Sequence, residues 1–185
     1  MKYLFVFMLV GLMVSCGVNK KSLAKQPNCD EIEGFQTDDL DLVPEDYTGV
    51  VFKCIDGKVQ WLRNYKDGKN DGDGLQRVWH KNGQLGQEFN YKDGKEVGLF
   101  RSWYENGQLK YEGNFKDGKE DGLFREWYEN GQLKSIWNWK EGKLDGLTRD
   151  WYRNGQLEYE ANFKDGELIS KKCWDEDGNE INCGW

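Results

Sequence analysis

Asn-Gly-Gln-Leu occurs four times, beginning at Asn82, Asn106, Asn130 and Asn154, at a constant spacing of 24 residues. A second glycine turn follows each of these glycines by eleven residues, at Asp93-Gly94, Asp117-Gly118, Glu141-Gly142 and Asp165-Gly166. A turn every eleven to thirteen residues leaves no room for a helix of ordinary length. It leaves room for strands of about six to nine residues joined as an up-and-down meander. Asn-Gly and Asp-Gly between alternating segments are strong hairpin signals, because a type I′ turn needs φ > 0 at both central residues. Degenerate turns flank the array at Asp56-Gly57, Asp67-Gly68 and Asp177-Gly178, the last one residue short of the regular step from Gly155.

Treating Asn106-Gly107 as a two-residue loop fixes a register. Tyr104 then faces Leu109, Ser102 faces Tyr111 and Phe100 faces Gly113. The opposite face pairs Trp103 with Lys110, Arg101 with Glu112 and Leu99 with Asn114. The same rule pairs Arg77 with Glu88 and Arg149 with Glu160, and sets Arg125 against Ile136. Opposite charges therefore recur where cross-strand pairing favours them. Reading Asp117-Gly118 likewise sets Tyr111 against Phe124, so both turns give one two-faced sheet, and a one-residue slip would mix its faces. The fold class is all-β: an elongated single-layer antiparallel meander of repeated β-hairpins. Contacts in such an array run between neighbours, so its ends need caps.

The run from Tyr111 to Gly122, with its Tyr-x-Gly and following glycines, resembles the MORN (membrane occupation and recognition nexus) repeat. The segments Trp103–Leu109 and Trp127–Leu133 resemble the shorter bacterial MORN variant, found in the YwqK-type antitoxin family. The resemblance covers residues 49 to 183. One copy keeps Tyr-x-Gly; the others have Gln87-x-Phe89, Ser135-x-Trp137 and Tyr159-x-Ala161. What the resemblance implies is a repeat scaffold making protein or lipid contacts, in its most specific form an antitoxin.

Residues 1–15 read as a signal peptide: Lys2, then an apolar run from Tyr3 to Val14, too short for a confident membrane span. Ser15-Cys16 at its end resembles a bacterial lipobox, although Met13 stands where leucine is usual. This implies cleavage before Cys16 and acylation of its thiol. Residues 16–48 are expected to form a lipid-anchored tether and N-terminal cap, and residues 49–185 the repeat domain. The localisation that follows is the cell envelope, at the outer membrane or cell surface. In an oxidising compartment, Cys29, Cys54, Cys173 and Cys183 allow two disulfides in three connectivities. Cys173 and Cys183 flank Gly178 symmetrically, which favours joining them; Cys29 and Cys54 then pair by elimination. Direct opposition of Cys173 and Cys183 would need an odd loop centred on Gly178.

Catalytic chemistry finds little support. The one histidine, His80, stands where other copies have Tyr104, Tyr128 and Tyr152, and reads as a member of a side-chain ladder. The carboxylates are spread over turns, with no pair held in a cleft as glycoside hydrolysis requires. The acidic stretches Asp67–Gly74 and Asp175–Asn179 depart from the EF-hand pattern and read as turn chemistry. No catalytic residue, metal site or cofactor is expected. A net charge of −7 argues against a nucleic-acid partner and suits a basic protein.

The remaining signal is periodic: Trp79, Trp103, Trp127 and Trp151, each two residues after Arg77, Arg101, Arg125 or Arg149. Arginine can stack on tryptophan and pair with glutamate, a structural role, and both residue types are enriched at binding hot spots. The second face carries Phe100, Tyr104, Phe124, Tyr128 and Tyr152. The tryptophan and arginine row is the candidate partner surface, and a single-layer sheet leaves one face exposed unless it coils or is covered. The expected function is a non-enzymatic, lipid-anchored protein-binding scaffold, with a basic toxin as the most specific partner. Glycan binding on the aromatic rows and a purely structural envelope role are the alternatives.

Overall fold

The computed structural model describes residues 26–69 and 73–184, so Cys16 and the signal segment lie outside the described residues. One 16-stranded, mostly antiparallel sheet dominates, with two short 3-10 turns, Cys29–Glu31 and Leu40–Leu42, near its start. Neighbours along the sheet are neighbours in sequence. Each repeat contributes a six-residue strand (Gly74–Trp79, Gly98–Trp103, Gly122–Trp127, Gly146–Trp151) and an eight-residue strand (Leu85–Lys92, Leu109–Lys116, Leu133–Lys140, Leu157–Lys164). Three two-residue strands, Lys95–Glu96, Lys119–Glu120 and Lys143–Leu144, pair only with the strand before them.

The two turn classes differ. At Asp117-Gly118 both residues have positive φ, +53° and +78°, as a type I′ turn requires. At Asn106-Gly107 only the glycine does, at +84°. Tyr104 N donates to Gln108 O and Gly107 N to Tyr104 O, each at 2.9 Å, closing a three-residue loop. The cause is the asparagine side chain. Asn106 Oδ1 accepts Gln108 N at 2.9 Å, a local turn of its own, while Nδ2 donates to Glu129 O in the next repeat at 3.0 Å. Trp103 therefore pairs with Leu109 and Tyr104 with Gln108, not Trp103 with Lys110 and Tyr104 with Leu109. Lys110 becomes the extra residue of a bulge. Beyond it the expected register holds: Ser102 faces Tyr111, Arg101 faces Glu112, Phe100 faces Gly113 and Leu99 faces Asn114.

The second turn also carries an offset. Lys116 pairs with Lys119 and Phe115 with Glu120, but farther on Glu112 faces Arg125 and Tyr111 faces Glu126, not Phe124. Two residues have been taken up between, where Asp121 N donates to Asn114 O at 2.8 Å and Gly122 has φ +99°. An offset of two leaves every side chain on its face. After Asp165-Gly166 the shift is a single residue, between the Phe163–Leu168 and Asn162–Ser170 pairs, and this shortens the final step. The Asp177-Gly178 loop closes like the Asn-Gly loops, with Asp175 N donating to Asn179 O and Gly178 N to Asp175 O. It centres on Asp177, so Cys173 faces Ile181 and the Cys173–Cys183 disulfide crosses diagonally, Cα atoms 5.3 Å apart. Cys29 is bonded to Cys54.

The first hairpins are covered on both sides by residues 26–48. Phe35–Gln36 pairs with Val51 and Phe52 in the sheet's parallel step. Val43, with Phe35 and Tyr47, packs on Val51 and Tyr65, while Cys29 and Ile32 pack on Phe52, Val59 and Trp79. Farther along, the rings cover each other. Phe100, Phe115, Phe124, Tyr111 and Trp137 form a chain of contacts with centroids about 6 Å apart on one face. Phe124 is fully buried there.

Candidate binding surface

Strand pairing assembles a row across one face of the sheet: Leu62, Arg77, Glu88, Arg101, Glu112, Arg125, Ile136, Arg149 and Glu160. Arg77, Arg101 and Arg149 donate through Nε to Glu88, Glu112 and Glu160 at 2.9, 2.8 and 2.8 Å. Arg125, opposite Ile136, has Glu112 at 3.7 Å instead. The guanidiniums thus engage carboxylates. The cation–π contacts of the repeats involve tyrosine: Arg153 and Lys134 lie 5.0 and 6.0 Å from the Tyr128 ring, and Lys110 lies 5.5 Å from that of Tyr104.

The tryptophans divide. Trp79 is 4% exposed, packed on Phe52 and Val59, and offers no surface to a partner. Trp103, Trp127 and Trp151 are half-buried at the Asn-Gly edge. Their carbonyls bind the repeats together: His80 Nε2 donates to Trp103 O at 2.8 Å, Tyr104 Oη to Trp127 O at 2.8 Å and Tyr128 Oη to Trp151 O at 2.7 Å. Because a carbonyl only accepts, His80 carries its proton on Nε2 and does the tyrosine's work. Tyr152 Oη continues the ladder to Trp174 O at 2.9 Å. Trp174 is a member the sequence reading missed; its position three residues before Asp177-Gly178, as Trp151 is before Asn154-Gly155, was the available signal.

On the opposite face a second row runs Val78, Gln87, Ser102, Tyr111, Glu126, Ser135, Asp150, Tyr159 and Cys173. Its C-terminal half opens into a cavity of about 600 Å³ whose walls include Tyr128, Trp137, Tyr159 and Trp174, with Glu126 and Asp150 also in the lining. Lys134 Nζ donates to Glu126 Oε1 at 3.0 Å. Burial pushes the Asp150 carboxyl up, with Glu126 adding to the effect and the Ser135 hydroxyl bond and Lys134 opposing it. Burial raises Tyr111 most, to about 12, with help from Glu120 and Glu126. Of its lining, Trp151 was an expected partner contact and Cys173 and Cys183 were expected disulfide cysteines; Glu126, Asp150 and Trp137 were not expected site residues, because they are departures from the repeat.

Among the described residues no group of three or more His, Cys, Asp or Glu is placed to hold a metal ion. In the acidic C-terminal turn, Asp175 Oδ1 instead accepts Asp177 N and Asn179 N at 3.0 and 2.8 Å.

Among curated proteins no sequence matches the chain significantly. Residues 72–93, 96–117, 120–141 and 144–165 each match the family model of the MORN repeat variant. These four segments are the four hairpin units of the sheet, each starting near the glycine-led strand and ending at the Asp-Gly or Glu-Gly turn. With sequence period, register and family model in agreement, the chain is a MORN-repeat protein.

Proposed function

We propose that this protein is a non-catalytic scaffold that binds a protein partner and is held at the cell envelope by a lipid on Cys16. The observation that carries the binding reading is the turn edge. Hydrogen bonds from His80, Tyr104, Tyr128 and Tyr152 hold successive repeats in fixed register, so Trp103, Trp127, Trp151 and Trp174 recur as half-buried rings, the last two lining an open cavity. Rigid aromatic side chains in a row give contact area with little ordering cost. The net charge of −7 favours a basic partner. An immunity-type protein that occupies a basic toxin at the outer membrane or cell surface is the most specific form of this reading. The lipid anchor is supported by the apolar run ending at Ser15-Cys16.

Affinity capture with the full chain tests the binding reading. A partner recovered by the unaltered protein should be lost when Trp103, Trp127 and Trp151 are all replaced by Ala, with far-UV circular dichroism unchanged. Retention of the same partner by that triple variant rules out the tryptophan edge as the binding surface.

A further inference from the structure

One column of the repeat changes its chemistry along the array. Equivalent positions hold Val78, Ser102, Glu126 and Asp150. Since Val78 and Ser102 occupy this position in the same register, the fold does not require a charge there. Two carboxylates appear only in the copies that line the large cavity. They are only partly matched by the protein itself, although Asp150 accepts from the Ser135 hydroxyl. Lys134 is committed to Glu126 at 3.0 Å, and Asp150 Oδ1 is buried without a hydrogen-bond partner. A half-buried carboxylate left incompletely paired is costly, and a positive charge in the adjoining cavity would offset it. Glu158 also borders the cavity, so three carboxylates face one lysine.

The walls favour the same kind of ligand. Tyr128 already carries two cations, Arg153 and Lys134. Trp137, Tyr159 and Trp174 supply further rings, and a positive charge against a ring face is favourable. The Cys173–Cys183 disulfide forms part of the wall and holds it open before any ligand arrives. A neutral sugar would use the rings but would not answer the excess negative charge.

We infer that this cavity is a recognition pocket for an alkylammonium group, the side chain of a lysine presented by a protein partner. The amine lies between the Glu126 and Asp150 carboxylates, while its methylene stem lies along the aromatic wall. The choice of a protein as carrier of the amine rests on the scaffold reading; the charge and ring chemistry do not.

The test is a titration of the oxidised full chain with Nα-acetyl-lysine methylamide, followed by the indole N–H resonances. Trp137 and Trp174 should shift saturably and Trp103 should not. The Nε-acetylated analogue should leave them unmoved. Asp150→Ser, which copies the residue at position 102, should keep the fold and weaken binding about tenfold or more, the loss of one of the two carboxylates flanking the amine. Absence of saturable shifts overturns the proposal. So does equal binding of the acetylated analogue, or undiminished affinity in Asp150→Ser. Shifts of the same indoles by an N-acetylglucosamine trimer, with none from the lysine probe, would assign the pocket to glycans. Failure of the lysine probe while partner capture persists removes the lysine pocket alone; failure of the unaltered chain to capture any partner, with the probe still bound, removes the scaffold reading alone.

Discussion

Arg77 and Glu88 face each other directly across the hairpin of the first matched repeat, with Arg77 Nη2 and Glu88 Oε2 2.8 Å apart and only 11% of the arginine side chain exposed. The equivalent arginines at 101 and 149 are 39% and 42% exposed. The three pairs share chemistry and register and differ in shelter. Double-mutant cycles in urea should therefore give coupling below about 1 kcal/mol for Arg101–Glu112 and Arg149–Glu160, and a larger value for Arg77–Glu88, because water screens it less. Equal coupling at all three sites would show that burial does not set the strength of this row.

Gly113 faces Phe100, and a Cβ built on it would sit 2.1 Å from the Phe124 ring. The repeat-equivalent positions hold Phe89, Trp137 and Ala161, so the glycine is specific to this copy. Gly113→Ala should destabilise by about 1–3 kcal/mol through overpacking, read as a lower denaturation midpoint. Adding Phe124→Leu should recover part of the loss. A neutral single substitution would mean that the ring has free space to move.

Tyr111 ionises late, its pKa raised by burial from the ordinary 10 to about 12. A raised folded-state value means that the stabilisation is complete below pH 10 and is lost as the pH rises from there through about 12. Tyrosinate absorbance should show at least one late-titrating phenol that disappears in Tyr111→Phe, and that variant should lose less stability across this range.

The Cys173–Cys183 bridge spans 10 residues of chain. Replacing both cysteines with Ser should cost about 2–3 kcal/mol in a short-loop entropy model, confined to the last hairpins. Hydrogen exchange should accelerate at Trp174 and Ile181 and stay unchanged at Arg101. Acceleration throughout the array would contradict a stability summed from neighbouring contacts.

Much of the sheet was legible because turn spacing and alternation act locally. Arg101–Glu112 and Arg149–Glu160 follow from the turn position alone, and survive a misread loop because the bulge at Lys110 is absorbed before the pairs begin. The Asn-Gly loops were misread for a physical reason: the Asn106 side chain is spent on Gln108 and Glu129, so its backbone has no need of positive φ. Tyr111 was set against the wrong residue because nothing in the Asp117-Gly118 dipeptide reports the two residues taken up at Asp121 and Gly122. Trp79 reads like its three counterparts, yet is buried by Phe52 and Val59, which belong to a hairpin outside the matched repeats. The cavity was hidden because periodicity draws attention to what recurs, whereas Glu126 and Asp150 are where the column departs from itself.

The unbroken agreement between order in sequence and order in the sheet bears on how the chain reaches this structure. From Gly49 onward every strand finds its partner in the segment just completed; the N-terminal cap alone waits longer, Asn28 pairing with Lys58, and the loops to be closed along the array stay short. Growth from the Cys29–Cys54 end can proceed hairpin by hairpin during synthesis or emergence from a pore, each new edge protected by the next strand. Tyr152 to Trp174 and Cys173 to Cys183 are then the last contacts made. The cavity, which uses all four residues, comes into being only when the whole chain has arrived.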